Sequence, residues 1–167
     1  MTTTRPLNVL FLCTHNSARS ILAEALLNHM GEGRFRGFSA GSSPRENQRP
    51  NPLGLQALQE AGVSVEGLSS KSWDAFAGPD APHMDLIITV CDNAAGEVCP
   101  YWPGHPATAH WGYSDPSAGD APDDVKLAAF RQTLLAIQQR LRLLLNLPPE
   151  QLAAAQLETT ARLLAKA

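Results

Sequence analysis

The segment VLFLCTHNSARS, residues 9–20, constrains the fold of this chain more than any other. Residues 7–12 are apolar and predict a buried parallel strand, and residues 17–30 predict a helix with one apolar face. The loop between them contains Cys13 and leads to Arg19. Such a turn from strand to helix directs backbone N–H groups and the positive end of the helix dipole into one space. The segment therefore predicts a site for a tetrahedral oxyanion.

The residue types in this loop predict nucleophilic chemistry. The guanidinium of Arg19 can bind two oxyanion oxygens, and the same positive surroundings favour Cys13 as the attacking thiolate. Asp115, which precedes a proline in HWGYSDPS, is the candidate acid that protonates a leaving oxygen. Taken singly, Cys13 could be a buried inert thiol and Asp115 a turn residue. Their combination favours a catalytic site.

The remaining pattern alternates strands and helices. Further strands are predicted at residues 34–39, 85–90 and 108–111, and helices at residues 51–61 and 123–145. Residues 63–76 predict an extended stretch that leads into a helical turn. This order predicts an α/β fold with a four-stranded parallel sheet between two helical layers. The oxyanion loop would lie at the carboxyl end of the first strand, where such sheets bind ligands.

Length, charge and hydropathy limit the classes of protein that fit. The chain has 167 residues and predicts one domain, with residues 148–167 as a helical extension of the domain formed by residues 1–147. This extension either docks on its own domain, which we favour, or contacts a partner. A net charge of −3 without a basic run argues against nucleic-acid and anionic-membrane partners. Because no signal-peptide or membrane-span pattern occurs, we expect a cytoplasmic protein, whose three cysteines are catalytic or redox-active.

Two further motifs identify a resemblance. TVCDNAAGEVCP, residues 89–100, supplies Cys91 and Cys99 directly after a predicted strand, and HWGYSDPS follows it. With these motifs, residues 7–145 resemble the low-molecular-weight protein tyrosine phosphatase fold. Within that fold, the three cysteines resemble those of the arsenate reductases that use thioredoxin or a glutathione system. A phosphatase of this fold needs one cysteine, so the second pair favours the reductase branch.

The resemblance implies an enzyme of arsenic detoxification. Cys13 would form a thio-arsenate, Cys91 would attack its sulfur and release arsenite, and Cys99 would then open the Cys13–Cys91 disulfide. An external thiol, from thioredoxin or from glutathione and glutaredoxin, would complete the cycle. Phosphate and sulfate are expected analogues of arsenate, and weak phosphatase activity is expected. The alternatives are a tyrosine phosphatase, in which Cys91 and Cys99 are buried apolar residues, and a non-catalytic oxyanion-binding module.

The resemblance also implies two residue sets and no tightly bound cofactor. The first set is the substrate-binding loop, in which Asn16 and Ser20 hold the loop in shape and Ser20 bonds the Cys13 sulfur. Its members are Cys13, Thr14, His15, Asn16, Ser17, Ala18, Arg19 and Ser20. The second set aligns with a potassium site found beside the loop in some reductases of this kind. Its members are Asn16, Glu24, Ser39, Ser72 and Asp74.

Overall fold

The structure, a computed structural model, describes residues 6–31, 33–91, 107–148 and 154–166. Its elements in chain order are β1 (Leu7–Cys13), α1 (Arg19–Met30), β2 (Phe35–Gly41), α2 (Pro52–Glu60), a 3-10 helix (Trp73–Phe76), β3 (Leu86–Thr89), β4 (Ala107–His110), α3 (Asp123–Leu145) and α4 (Ala154–Leu164). Within these ranges, no helix is long and apolar enough to cross a membrane.

The four strands form one parallel sheet in the order β2-β1-β3-β4. Alternate side chains of β1 face opposite sides of the sheet, so Phe11 belongs to the larger apolar cluster and Leu10 to the smaller one. Each of the α-helices in the described part of the chain contributes buried side chains to the larger cluster. Among the described residues, the 3-10 helix covers the other face, through Trp73 and Phe76. The predicted fold class is confirmed, with a thinner second layer than an α-helix would give.

Most predicted elements match the structure within two residues. The long helix at residues 123–145 has the predicted bounds. The first strand continues one residue further than predicted, to Cys13, and the first helix begins at Arg19 instead of residue 17. The loop therefore keeps Ser17 and Ala18 outside the helix. Asn51 caps α2 by accepting a hydrogen bond from the Leu53 N–H at 2.9 Å, which explains where that helix starts.

The C-terminal helix α4 packs on strand β4 and on the residue that follows it. The Trp111 side chain is buried, and its Nε1 donates to the Ala161 carbonyl at 2.9 Å. Arg162 Nε donates to the Thr108 carbonyl at 3.0 Å, and Leu157 is buried in the larger cluster. Residues 149–153, where the prediction places the start of this helix, lie outside the described residues. The division of the chain at residue 147 stays a prediction.

Strand β2 ends against the oxyanion loop. Gly41, its last residue, pairs with Cys13, and the Gly41 backbone lies so close to the loop that a Cβ there would be 2.6 Å from the Thr14 carbonyl oxygen. The same Cβ would be 2.9 Å from the carbonyl carbon of His15. Because both neighbours are backbone atoms, a side chain cannot be accommodated by a rotamer change. Gly41 thus sets how closely the loop approaches the sheet.

Replacing Gly41 with alanine should displace the oxyanion loop. We expect Gly41→Ala to lower the free energy of unfolding by about 1–3 kcal/mol, the usual cost of overpacking, and to weaken phosphate binding as well. Urea unfolding and phosphate titration would measure the two effects. Gly78→Ala is the matched control, since a Cβ at Gly78 meets no atom within 4 Å. Equal behaviour of the two variants would contradict the prediction.

Candidate active site

The candidate nucleophile, Cys13, is a free thiol at the end of β1 with 5% of its surface exposed. Its sulfur accepts a hydrogen bond from the Asn16 backbone N–H at 3.1 Å and lies 2.9 Å from Ser20 Oγ. Asn16 has a φ of 57°, a left-handed conformation that asparagine tolerates better than most residues. This conformation belongs to the loop that brings its N–H back toward the sulfur.

A buried chain of side-chain hydrogen bonds supports the sulfur. Asn16 Nδ2 donates to Ser20 Oγ at 2.8 Å, and Asn16 Oδ1 accepts from the Lys71 N–H at 2.9 Å. Because Ser20 Oγ already accepts from Asn16, its own proton is available for the Cys13 sulfur. Asn16 and Ser20 are both fully buried. The chain therefore places hydrogen-bonding groups against the Cys13 sulfur from the buried side of the loop.

Arg19 and Asp115 face each other beside the thiol. Arg19 is buried, and one of its guanidinium nitrogens donates to the Tyr113 carbonyl at 2.8 Å. Another lies 3.9 Å from Asp115 Oδ2. Asp115 Oδ1 accepts from the Ser117 N–H at 2.9 Å and from its hydroxyl at 2.7 Å. One carboxylate oxygen is thus held by the turn while the other faces Arg19, the orientation that a proton donor beside an oxyanion requires.

These groups open into one cavity of about 320 Å³. Its lining residues are Cys13, Thr14, His15, Ser17, Ala18, Arg19, Arg45 and Asp115. Asn16 and Ser20, predicted as part of the substrate-binding loop, do not line the cavity. Their side chains lie behind the loop, where they bond each other. The His15 ring is turned toward the connector after β2, with Nδ1 3.0 Å from the Ser43 carbonyl oxygen.

Arg45 is a residue that the sequence analysis missed. It lies in the polar connector after β2, is exposed, and contributes to the wall of the cavity. Its guanidinium adds a second positive charge to the site beside Arg19. The connector shows no periodic pattern, so only the fold reveals that Arg45 reaches the cavity.

Cys91 lies at the same edge of the sheet as Cys13. Strand β3 pairs with β1, with Thr89 opposite Leu12, and the Val90 N–H donates to the Leu12 carbonyl at 2.9 Å. Cys91 therefore follows β3 where Cys13 ends β1. It is fully buried and disulfide-bonded, whereas Cys13 is a free thiol and so is not its partner. Cys99 lies outside the described residues.

Several of the predicted potassium ligands already have protein partners. Ser39 Oγ donates to Glu24 Oε1, while Lys71 Nζ lies 3.7 Å from that same oxygen. Ser72 Oγ accepts from the Asp74 N–H at 3.2 Å and caps the 3-10 helix. Burial raises the pKa of Glu24, and burial lowers the pKa of Lys71, each against its ordinary value. Among the described residues, no group of three or more His, Cys, Asp or Glu side chains could hold a metal ion.

Comparison with known proteins gives the family. The profile of low molecular weight phosphotyrosine protein phosphatases matches residues 8–158. The chain belongs to this family. Its curated relatives include the arsenate reductase of Bacillus licheniformis, 35% identical over 136 residues that span 80% of this chain and 91% of that protein. The arsenate reductase of Bacillus subtilis is 31% identical over 134 residues, with the same two shares. The family resemblance predicted from the motifs is confirmed.

Solved structures of related proteins have the same fold. A thioredoxin-dependent arsenate reductase of Corynebacterium glutamicum superposes with a TM-score of 0.54 at 27% identity, over 85% of this chain and 65% of that one. An arsenate reductase in its phosphate-binding state gives a TM-score of 0.61 at 23% identity, over 83% of this chain and 96% of that one. The second likeness supports the fold alone.

The hydrogen bond from Ser20 to the Cys13 sulfur can be tested by thiol reactivity. Ser20→Ala should slow the alkylation of Cys13 by iodoacetamide at neutral pH by about tenfold, because a donor to a charged sulfur is lost. Mass spectrometry of the peptide that contains Cys13 separates its reaction from those of the other cysteines. Ser64→Ala is the control, since Ser64 is exposed and caps a turn at Glu66. An unchanged alkylation rate in Ser20→Ala would remove this serine from the support of the thiolate.

Proposed function

We propose that this protein is an arsenate reductase that uses an internal cysteine relay. The observation that carries the proposal is the arrangement of Cys13 with Arg19 and Asp115 in one cavity, while a second cysteine, Cys91, follows the neighbouring strand. A phosphatase would use the first three groups alone. The identity of 35% to a curated arsenate reductase supports the same choice.

In the first step, the oxyanion binds against the loop N–H groups and Arg19. The Cys13 thiolate attacks arsenic, a sulfur–arsenic bond forms, and an arsenic–oxygen bond breaks in line. Asp115 gives its proton to the departing oxygen, which leaves as water. Because Asp115 Oδ1 is held by Ser117, the carboxyl group keeps its other oxygen turned toward the reacting centre.

In the second step, the thiolate of Cys91 attacks the Cys13 sulfur. A disulfide forms, the sulfur–arsenic bond breaks, and its electron pair stays on arsenic, which leaves as arsenite. The thiolate of Cys99 then attacks Cys91 and releases Cys13 as a thiol. A free Cys13 beside a disulfide-bonded Cys91 is the redox state that this sequence of steps leaves behind.

A single turnover tests the relay. Fully reduced protein mixed with arsenate, without external thiol, should release about one equivalent of arsenite and lose two thiols. Cys13→Ser should release none. Cys91→Ser should also release none under these conditions, yet it should bind phosphate and hydrolyse p-nitrophenyl phosphate as the unmodified protein does, since the cavity residues stay in place.

Assays of arsenite release, phosphate-ester hydrolysis and oxyanion binding on the same protein separate the alternatives. Phosphate-ester hydrolysis by the unmodified protein without any arsenite would favour a tyrosine phosphatase. Oxyanion binding without either reaction would favour a regulatory binding module. Continued turnover supplied by reduced thioredoxin, but not by glutathione with glutaredoxin, would identify the reductant. We expect thioredoxin, because a similar protein of known structure is thioredoxin-dependent, and we place the reaction in the cytoplasm, where such thiols are kept reduced.

Arg45 should assist substrate capture. Arg45→Ala should raise the KM for arsenate about fivefold with little change in kcat, the effect of a single exposed ion pair of about 1 kcal/mol. The difference should shrink at high salt, because exposed charges are screened. Arg49→Ala is the matched control, since Arg49 is exposed in the same connector and does not line the cavity. If both variants changed KM equally, net charge and not position would be the cause.

A further inference from the structure

Glu24 is a buried acid close to the oxyanion site that the proposed reaction does not use. It lies on α1, one turn beyond Ser20, and its side chain is 14% exposed. A carboxylate removed from water in this way requires a positive partner. The Ser39 hydroxyl donates to it but brings no charge. The positive charge comes from Lys71, whose Nζ lies 3.7 Å from Glu24 Oε1.

Hydrogen bonds hold both the backbone and the side chain of Lys71 in place. The Lys71 N–H donates to Asn16 Oδ1 at 2.9 Å, and the Lys71 carbonyl accepts from the Gly41 N–H at 2.9 Å. The next residue, Ser72, forms a parallel bridge with Gly41. The ammonium also donates to the Ser69 carbonyl at 2.7 Å. The lysine is therefore fixed to the loop, to β2 and to α1 at once.

This arrangement does not fit a bound potassium ion. Such an ion requires several oxygen ligands at the same time. The Glu24 carboxylate, which such an ion would need as a charged ligand, already faces the Lys71 ammonium. A potassium ion beside Glu24 would also be repelled by the ammonium, which carries the same charge. The Lys71 side chain supplies the positive charge that a potassium ion would supply.

We propose that the Lys71 ammonium is the resident cation of the oxyanion loop, so that oxyanion binding by this protein is independent of potassium. Lys71 is a positioning residue, because it reaches Cys13 only through others. The ammonium fixes the position of the Lys71 backbone by facing Glu24 and donating to the Ser69 carbonyl. The Lys71 backbone N–H in turn holds Asn16, Asn16 bonds Ser20, and Ser20 lies 2.9 Å from the Cys13 sulfur. The inference does not depend on the reaction proposed above, since it concerns the binding of any oxyanion.

The key variant is Lys71→Met, which keeps most of the side-chain volume and removes the charge. Glu24 also borders a second cavity of about 450 Å³, so an ion from solvent can approach its carboxylate. A potassium ion should therefore replace the missing ammonium. The conservative variant Lys71→Arg keeps the charge and should stay independent of potassium. The double variant Glu24→Gln/Lys71→Met lacks the acid and should gain nothing from the ion.

Phosphate affinity and melting temperature are the two measurements. Both are made in KCl and in tetramethylammonium chloride at about 0.15 M, so that ionic strength is constant. The unmodified protein should show the same phosphate Kd, within about twofold, and the same Tm in both salts. In tetramethylammonium chloride, Lys71→Met should bind phosphate about tenfold more weakly and melt lower. KCl should restore the phosphate affinity and the Tm of Lys71→Met, but not those of the double variant. Lys126→Met, on α3, controls for the loss of one positive charge.

Three outcomes would overturn the proposal. The first is a clear response of the unmodified protein to potassium. The second is a folded Lys71→Met whose phosphate affinity is normal or is indifferent to potassium. The third is an equal response to potassium in the double variant, which would show a general salt effect. If Lys71→Met does not fold in either salt, Lys71→Arg decides: normal affinity without potassium dependence supports the proposal, and lost affinity contradicts it.

Discussion

The interaction on which the site depends is the solvation of the Cys13 sulfur by protein donors. A thiolate with so little exposure is stable only if hydrogen bonds replace the water it has lost. The Asn16 N–H donates to the sulfur through the left-handed turn at Asn16, and Ser20 Oγ lies 2.9 Å from the same sulfur. The loop conformation therefore decides which donors reach the Cys13 sulfur, and the surrounding elements fix that conformation.

The parallel sheet brings chemically different groups to one edge. The oxyanion loop follows β1, Cys91 follows β3, and Asp115 follows β4. Parallel strands place their carboxyl ends together, so residues that are far apart in the chain lie at the same edge of the sheet. Arg19 joins two of these segments, because its guanidinium donates to the Tyr113 carbonyl and faces Asp115. The oxyanion loop and the segment that carries Asp115 are thus held together by the same side chain.

The sequence predicted the elements well because each is defined by local periodicity. Apolar runs gave the strands, and the three-four spacing gave α3. The position of the loop was also predictable, since Cys13, Arg19 and the residues between them are contiguous, while their chemical roles stay predictions. Arg45 and Lys71 were missed because their roles arise from contacts between distant segments. Lys71 contacts Glu24 although the two lie 47 positions apart in the sequence. Nothing in the sequence around Lys71 distinguishes it from an exposed lysine. The potassium prediction rested on oxygen ligands alone and stays a prediction; the charge of Lys71 beside Glu24 is the observation that competes with it.

A tethered cation has a structural consequence that a dissolved ion does not. Its position is set by covalent bonds, so no ion has to be captured from solution, but the backbone that carries it must approach the loop closely. Gly41 makes that approach feasible on both sides. Its N–H holds the Lys71 carbonyl, and its missing Cβ leaves room for the Thr14 carbonyl oxygen. The end of β2 therefore couples the charge that neutralises Glu24 to the oxyanion loop. A change in the contact of Gly41 with Lys71 or with Thr14 should alter the position of the loop around Cys13.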